Sequence, residues 1–493
     1  MSGLTPLITA EEGFPAVERL AAGAQDELLM SFRIFDPETR LRAPELRERG
    51  FDTWADLLAD VAARGVRLRI LLADFDPYFT RNLHHVAWRS ARTLRETVKG
   101  DVQVMCAPHG HAAGWFWRLV MRGKLRDTIQ DLKQRDPQDL TPVEQAALRG
   151  VTYLRPVTIH QKFAVADRST CVIGGLDINE RRFDTQDHER PADETWHDVS
   201  MRVDGTFGTH LAAHFAATWN SALDCGTAPE GLTLDREEEP GPKPATQHRL
   251  LRTASQPCTG PSRLSPRPVI REIESATLAA IEAARDSIYI ETQFLRHRPV
   301  IDALAAAAAR PDLDLVMILP PFAERVLFDG DHGWDARHAH ALQVRALSQL
   351  TQAFGDRFAA IAPAQPRAAD PGDPAINGAG PIYVHSKVMV VDDHTAIVGS
   401  ANLNGRSLRW DTEASVRFDD TAAIRGLRET LARLWLSDHA KGGAITRAAT
   451  WTKAAKENAA LTPEERTGFA LPYPLEKVRR FSRLLPILPD DMF

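Results

Sequence analysis

Apolar side chains recur along the first part of the chain at the alternating spacings of helices and buried strands. Phe14, Val17 and Leu20 fall at helical spacing, and the nearly continuous apolar run that follows them is typical of a strand buried on both faces. The pattern predicts, in chain order, a helix at 11–24, a strand at 27–35, a helix at 54–65, a strand at 66–73, a helix at 78–98 and a strand at 102–106. This alternation indicates a layered α/β domain.

The same order of elements returns in the second part of the chain. The pattern there predicts a helix at 273–284, a strand at 287–295, a helix at 300–309, a strand at 313–319 and a helix at 338–354. A repeat of this length indicates an internal duplication and not a short-period solenoid. We therefore expect an α/β protein made of two similar α/β/α sandwich halves, each with a mixed sheet, related by a pseudo-two-fold axis.

Composition divides the chain into four segments. Residues 227–247 are rich in Pro, Glu and Gly, which is linker composition, and we expect the acidic run 237–239 to be a solvated part of that linker. The N-terminal half is expected at 1–226 and the C-terminal half at 248–440. A helical and irregular extension is expected at 441–493.

Charge and cysteine content narrow the classes of protein that the chain can represent. The 60 Lys and Arg against 66 Asp and Glu give a net charge of −6, so we expect no nucleic-acid partner. The four cysteines are far apart and show no metal-finger or disulfide spacing. We see no secretory signal and no apolar run of about 18 residues, and expect a cytoplasmic or peripheral membrane protein. Export by a dedicated secretion system stays open.

One pattern of polar residues occurs once in each half. It consists of a histidine, a lysine two residues later and an aspartate five residues after the lysine. The two copies are His160, Lys162, Asp167 and His385, Lys387, Asp392. Each copy is followed by a Gly-Gly or Gly-Ser pair, where backbone can approach a ligand closely: Gly174-Gly175 and Gly399-Ser400.

The residue types in this pattern suit chemistry at phosphorus. On an extended strand, the histidine and lysine of each copy would project from one face. An imidazole, with an ordinary pKa of about 6.5, can act as nucleophile or as general acid and base, and lysine supplies positive charge for phosphate oxygens. Two such pairs around one phosphate would let one histidine attack phosphorus while the other protonates the leaving oxygen. The lysines supply the charge that Mg²⁺ supplies elsewhere, so we expect no metal and no other cofactor.

A catalytic histidine is often oriented by a carboxylate on its second ring nitrogen. Two stretches with the same strand-like pattern, 198–203 and 413–418, begin with a carboxylate in each half. We predict that each carboxylate serves the histidine of its own half. Asp198 would then support His160, and Glu413 would support His385.

At these residues the sequence resembles the phospholipase D superfamily, whose signature is two such His-Lys-Asp motifs, each followed by a Gly-Gly or Gly-Ser turn. Residues 174–178 with 182–185 are similar to the first-motif flank of phosphatidylcholine-type phospholipases D. Residues 196–199 and 290–295 resemble two further segments of the family, and 399–407 resemble its second-motif flank. The resemblance covers both halves of the chain.

The resemblance implies roles for residues around both motifs. It implies His160 as the nucleophile and His385 as the general acid and base. The motif aspartates, Asp167 and Asp392, would support the structure. Asp177 replaces an asparagine that many members carry, which favours the lipid-acting branch. The motif lysines and Asn402 would bind phosphate, within a wider phosphate-binding or supporting set of Gly175, Asp177, Asp198, Ser400, Asn402 and Glu413.

The resemblance and the residues predict a phospholipase D that hydrolyses glycerophospholipids to phosphatidic acid and the head-group alcohol through a phosphohistidine. Transfer to another alcohol is expected from the same intermediate. The alternatives are a cardiolipin synthase-like phosphatidyltransferase, a nuclease or other non-lipid phosphodiesterase, and an inert phospholipid-binding module. The expected partner is phospholipid at a membrane surface. A monomer suffices because both motifs lie in one chain.

An aromatic and basic stretch precedes the first motif. Trp115, Phe116 and Trp117 are followed by several cations, namely Arg118, Arg122, Lys124 and Arg126. Two interpretations stay open, contact with a bilayer interface and an inserted helix packed on the domain. Of these we favour the packed helix.

Overall fold

The computed structural model describes residues 3–225, 234–238, 241, 245–485 and 490–493. Two large mixed sheets form its framework, with helices packed on both sides of each. The expected α/β class with two similar halves is therefore confirmed.

The first half contains a sheet of seven strands. In chain order they are β1 (Leu4–Ile8), β2 (Glu27–Phe32), β3 (Arg67–Ala73), β4 (Val102–Ala107), β5 (Phe163–Ala166), β6 (Thr170–Gly174) and β7 (Val199–Asp204). Their order across the sheet is β1-β7-β6-β5-β2-β3-β4. Strands β2, β3 and β4 are parallel, and the remaining pairs are antiparallel.

The second half repeats this arrangement. Its strands are β8 (Arg249–Gln256), β9 (Arg267–Arg271), β10 (Ser287–Glu291), β11 (Asp314–Ile318), β12 (Phe358–Ile361), the small hairpin β13 (Ala364–Ala368) and β14 (Ala379–Pro381), and then β15 (Val388–Val391), β16 (Thr395–Gly399) and β17 (Glu413–Phe418). The sheet order is β12-β11-β10-β15-β16-β17-β8-β9. From β4 to β7 and from β12 to β17 the two orders correspond strand by strand, which is the duplication that the sequence predicts.

Helices cover both faces of the sheets. The first half has α1 (Thr9–Gly23), α2 (Pro44–Glu48), α3 (Trp54–Ala63), α4 (Arg81–Thr97), α5 (Trp115–Val120), α6 (Arg122–Leu132), α7 (Pro142–Leu148) and α8 (Phe207–Asp224). The rest of the chain has α9 (Glu272–Ala283), α10 (Arg298–Ala307), α11 (Glu324–Leu327), α12 (Trp334–Phe354), α13 (Thr421–Leu436), α14 (Ala448–Ala459) and α15 (Leu475–Phe481). Among the described residues, no helix is both long enough and apolar enough to cross a membrane.

Local sequence explains where these elements begin. Thr53 and Asp56 form a capping box that starts α3, and Trp54, Leu57 and Val61 then point into the core. Strand β2 is buried along its whole length, as the unbroken apolar run predicts. The C-terminal extension packs on the second half, where α14 contacts β11 and β12.

The motif strands start later than we predicted. We expected His160 and Lys162 to lie within a strand, but β5 begins at Phe163 and β15 begins at Val388. The carbonyl of each motif lysine still bonds to its own sheet, but the N–H of each motif histidine bonds to the opposite half. The His160 N–H donates to the Thr412 carbonyl at 2.8 Å, and the His385 N–H donates to the His197 carbonyl at 2.8 Å.

We expect the acidic run before the second half to be solvated, and the structure contradicts this at Glu237. Glu237 is buried and forms ion pairs with Arg67 and Arg69, each at 2.9 Å. Two arginines of β3 thus fix this part of the chain on the first sheet. Glu239 and most of the expected linker, 227–233 with 239–240 and 242–244, lie outside the described residues.

The aromatic stretch before the first motif forms α5. The expectation that this helix packs on the domain is only partly correct. Trp117 packs on the domain and donates its indole N–H to the Ser262 carbonyl at 2.8 Å. Trp115, Phe116 and Leu119 remain exposed, with 56%, 43% and 53% of their surface accessible. The helix buries none of its residues fully.

The aspartate of each motif closes the turn after its strand. Asp167 has a φ of +50° and Asp392 a φ of +48°, a left-handed conformation that aspartate tolerates better than most residues. The Asp167 carboxylate accepts three successive backbone N–H bonds, from Gln25, Asp26 and Glu27, at 2.8–3.0 Å. Asp392 accepts the equivalent bonds, all at 2.8 Å, from residues 285–287.

We predict that Asp167→Ala lowers the free energy of unfolding by about 2 kcal/mol or more, because three backbone donors lose a charged acceptor. Asp167→Asn should lose less, since asparagine keeps one acceptor and tolerates the positive φ. Urea denaturation of each variant measures the effect. Asp127→Ala, at a carboxylate that is 68% exposed, is the control. Equal stability of Asp167→Ala and that control would contradict the structural role.

Candidate active site

The two motifs meet where the halves face each other. Four backbone hydrogen bonds join the segments there. His160 donates to Thr412 and Thr412 donates to Thr158, at 2.8 and 3.1 Å. On the other side of the pseudo-two-fold axis, His197 donates to Tyr383 and His385 donates to His197, at 2.9 and 2.8 Å. Each motif histidine is therefore held beside the segment that leads into the last strand of the opposite half.

The carboxylates consequently support the opposite histidines, and our predicted pairing within each half is wrong. Nδ1 of His385 lies 2.6 Å from Oδ2 of Asp198, and Nδ1 of His160 lies 2.8 Å from Oε1 of Glu413. The reason is geometric, because Asp198 follows His197 and Glu413 follows Thr412 directly in sequence. The backbone bonds across the interface deliver each carboxylate to the other half.

The His385 site is closely packed. Besides His385, the buried Asp198 accepts a bond from the Val199 N–H at 2.9 Å. A Cβ at Gly175 would lie 2.2 Å from Oδ1 of Asp198, so only glycine leaves room for this carboxylate. Trp196 packs against the ring of His385, with centroids 4.7 Å apart. These contacts leave the imidazole one orientation, with its Nε2 directed away from Asp198.

The His160 site is built differently. The Ser400 hydroxyl donates to Oε2 of Glu413 at 2.5 Å and accepts from the Ala414 N–H at 3.1 Å. Oε1 of Glu413 and Nδ1 of His160 are close but not aligned for a hydrogen bond. Burial raises the pKa of Glu413 to about 8, so this carboxyl group holds a proton over much of the neutral range.

Positive charge and burial keep both histidines neutral. Burial lowers the pKa of His160 well below its ordinary value, and the charges of Lys162, Arg33 and Lys387 lower it further. His385 has the same shift from burial, Lys387 and Lys162. Since each histidine responds to both lysines, all four groups share one site. A neutral imidazole whose Nδ1–H faces a carboxyl oxygen presents a free Nε2 lone pair, which is the form that a nucleophile requires.

Both lysines are buried and fold back on their own motifs. Nζ of Lys162 donates to the carbonyl of His160 at 2.5 Å, and Nζ of Lys387 donates to the carbonyl of His385. Burial lowers the pKa of both, and that of Lys387 falls to about 7. An anionic ligand between them would stabilise the charged ammonium groups.

The chain is similar to several known proteins. A family model described as "Cardiolipin synthase, PLD-like domain" matches residues 277–435, which contain His385 and Glu413. Phospholipase D1 of Schizosaccharomyces pombe is 25% identical over 349 residues, covering 54% of this chain and 25% of that protein. The probable cardiolipin synthase YwiE of Bacillus subtilis is 24% identical over 276 residues, covering 54% of this chain and 44% of that protein. The matches thus span less than half of each relative.

A solved structure with the same fold is the phosphatidylserine synthase of Haemophilus influenzae Rd KW20. It superposes with a TM-score of 0.52 over 87% of this chain and 86% of that chain, at 12% sequence identity. The chain belongs to the phospholipase D superfamily. Its candidate active site is built from both halves of the chain.

Two positions after the glycine pairs distinguish the halves of this phospholipase D superfamily member. Asn402 donates its amide N–H to Oε1 of Gln293 at 3.2 Å, and its own Oδ1 has no hydrogen-bond partner among the described residues. Asp177 occupies the equivalent place and accepts from the Ile34 N–H at 2.8 Å through Oδ1. Its buried Oδ2 has no hydrogen-bond partner in the described structure.

Sequence reasoning missed a buried polar network behind the second motif. Glu291 accepts from Ser386, His197 and Trp435, at 2.5, 2.9 and 2.7 Å. Burial alone would raise the pKa of Glu291, but these donors lower it overall. The signal was a charged residue inside an otherwise apolar strand, β10, and such a residue is rarely buried without partners. The network fixes the segment that carries His385.

We predict a low-field proton resonance from the Nδ1–H of His385, because this proton lies in a short bond to a buried carboxylate. One-dimensional ¹H NMR in water should show it in the parent and in Glu413→Gln. It should disappear in Asp198→Asn and in His385→Gln. Loss of the resonance in Glu413→Gln, with retention in Asp198→Asn, would contradict the pairing across the halves.

Proposed function

We propose that this phospholipase D superfamily member is a phosphodiesterase and, more specifically, a phospholipase D, which hydrolyses glycerophospholipids to phosphatidic acid and the head-group alcohol. The observation that carries the proposal is the pair of neutral histidines, each backed by a carboxylate of the other half, with two buried lysines in the same site. Hydrolysis of a phosphodiester needs one nucleophile, one proton donor and positive charge for the non-bridging oxygens, and this set supplies all three.

The reaction proceeds in two displacements. Nε2 of His160 attacks phosphorus, an N–P bond forms, and the P–O bond to the head group breaks while Nε2–H of His385 protonates the leaving oxygen. A water molecule then gives its proton to His385 and attacks phosphorus, which breaks the N–P bond and releases phosphatidic acid. Before the first displacement the anionic substrate raises the pKa of His385, and the ring takes up a proton from solvent at Nε2 while its Nδ1–H faces Asp198. Lys162 and Lys387 stabilise the charge on the phosphate oxygens.

Phosphatidyl transfer is a second candidate. It is favoured by the match to a cardiolipin synthase family model and by the similarity to YwiE, a probable cardiolipin synthase. Transfer uses the same intermediate, with an alcohol in place of water in the second displacement. The two activities therefore differ only in which nucleophile reaches the phosphohistidine.

We propose that α5 binds the membrane surface and so brings the active site to its lipid substrate. Trp115, Phe116 and Leu119 form an exposed apolar tip on the insertion between β4 and β5, and β5 follows His160 and Lys162 directly. A groove of 610 Å³ beside this tip is lined by cations, namely Arg118, Arg122, Arg126 and Lys133. Exposed aromatic residues with flanking cations suit the interface of an anionic bilayer.

We predict that His160→Ala and His385→Ala each lower product formation by about 10³-fold or more, because each removes a reacting group. The assay uses mixed-lipid vesicles with and without a primary alcohol, followed by product analysis. The parent should form phosphatidic acid alone in the first case and also the phosphatidyl alcohol in the second. His394→Ala, at an exposed histidine in the turn between β15 and β16, is the control. Activity that survives both active-site substitutions would reject the mechanism.

We predict that Trp115→Ala combined with Leu119→Ala weakens binding to phosphatidylglycerol vesicles by about 10-fold or more, because two large apolar side chains no longer enter the bilayer. Vesicle co-sedimentation measures the binding. Trp334→Ala removes a comparably exposed aromatic ring, 67% accessible, from another surface and should leave binding unchanged. Unchanged binding in the double variant would exclude a membrane role for α5.

A further inference from the structure

The duplication places one arginine in the site without an equivalent in the other half. Arg33 follows β2 directly. In the second half the corresponding residue is Gln293, because Leu28 pairs with Ala166 on β5 just as Ile288 pairs with Val391 on β15. The chain after each strand then bridges to the segment behind the glycine pair, at Phe35–Ile178 and Leu295–Leu403. Arg33 and Gln293 therefore occupy equivalent places beside Asp177 and Asn402.

The two halves differ at both members of this pair. In the second half the pair is neutral, an amide bonded to an amide. In the first half both residues are charged, Arg33 and Asp177. Yet among the described residues no carboxylate lies within 4.0 Å of the Arg33 guanidinium. The guanidinium therefore forms no ion pair there. Asp177 uses one oxygen for the Ile34 N–H and does not close on Arg33.

Arg33 stands among other positive charges. Burial lowers the pKa of Arg33, and the charges that act on it most are those of Asp177, Arg182 and Glu324. Glu324 is already shared by Arg182 and Arg181, at 2.9 and 3.3 Å. Three guanidinium groups thus face two carboxylates, close to the lysines of both motifs. Arg182 lies over Trp196, whose ring packs against His385, and the charge of Arg33 lowers the pKa of His160, so each arginine lies near one motif histidine.

Four aromatic rings beside these residues are already covered by arginines. Arg33 lies over Phe75 at 5.1 Å, and Arg182 lies over Trp196 at 3.6 Å. Two further pairs complete the set, Arg296 over Phe294 at 4.0 Å and Arg181 over Phe328 at 5.3 Å. A quaternary ammonium head group is normally bound by open aromatic faces. On these four rings a guanidinium group already takes that position, and a second cation would meet like charge.

We propose that Arg33 selects the head group, by binding an oxyanion that the head group carries in addition to the reacting phosphodiester. This inference rests on the proposed phospholipase D function. The oxyanion can be a carboxylate, as in phosphatidylserine, or a second phosphate, as in phosphatidylinositol 4-phosphate. Arginine binds either one through two parallel N–H donors. The equivalent Gln293 carries no charge, so selection resides in the first half.

The test compares head groups inside one vesicle, so that surface charge and membrane binding are the same for every substrate. Vesicles contain equal amounts of phosphatidylserine, phosphatidylethanolamine and phosphatidylcholine, and released serine, ethanolamine and choline are quantified. The parent should release serine about 10-fold faster than choline or ethanolamine, as expected for one charge-assisted contact. Ethanolamine lacks the carboxylate of serine and also lacks the methyl groups of choline. Its release rate therefore shows whether the missing carboxylate or the size of the methyl groups lowers the rate for choline. A second vesicle, with phosphatidylinositol 4-phosphate and phosphatidylinositol, tests phosphate as the oxyanion.

Three variants separate substrate binding from charge balance within the protein. Arg33→Gln should reduce the serine-to-choline ratio about 10-fold. Arg33→Gln with Asp177→Asn copies the neutral pair of the second half, so it should fold, and it should show the same reduced ratio. Arg298→Gln, on the exposed surface of α10, should keep the parent ratio.

Each other outcome has a definite meaning. A parent ratio near one in both vesicles, or an unchanged ratio in Arg33→Gln, overturns the role of Arg33. Recovery of the parent ratio in the double variant also overturns it, because Arg33 would then only balance Asp177. If the parent releases no head group from any lipid, the proposed function itself fails, and the inference falls with it.

Discussion

The contact of each histidine with a carboxylate of the opposite half is the interaction on which the site depends. Asp198 reaches His385 and Glu413 reaches His160 because backbone hydrogen bonds join the halves immediately before these residues. Neither half contains both a motif histidine and its supporting acid. The halves must therefore be docked before either imidazole is oriented, and a single chain avoids the entropic cost of bringing two copies together.

The duplicated halves have diverged at the positions that touch this interaction. Gly175 leaves space for the short Asp198, whereas Ser400 donates to the longer Glu413. One histidine consequently has an aligned, short bond and the other has a carboxyl group with a raised pKa. Such asymmetry suits the proposed reaction, in which one histidine attacks phosphorus and the other moves protons.

Buried charge distinguishes the centre of the site from its surroundings. The lysines and carboxylates are removed from water, which disfavours their charged forms and shifts their pKa values towards neutrality. The negative charge of a bound phosphodiester would stabilise the charged form of the buried lysines. The fixed donors then stabilise the transition state with little reorganisation, which is the advantage of a preorganised site over water.

Much of the fold and the reacting groups could be predicted from the sequence, because these depend on local patterns. Apolar periodicity located β2, β3 and β4 in the first half and β10 and β11 in the second, and the repeated spacing located His160 and His385. Partners that are distant in sequence could not be predicted in this way. The carboxylate pairing was predicted within each half and lies between halves, and Glu237 was expected in water but is buried against Arg67 and Arg69.

The division between sequence and tertiary structure has a physical cause. Strand periodicity and turn chemistry act over a few residues, so the chain by itself determined its strands, its duplication and the identity of the nucleophile candidates. Which acid faces which histidine depends on the docking of two sheets, and the free charge of Arg33 depends on which carboxylates docking places nearby. Only the tertiary structure decides these contacts, because burial and distance set the electrostatic free energy of each group.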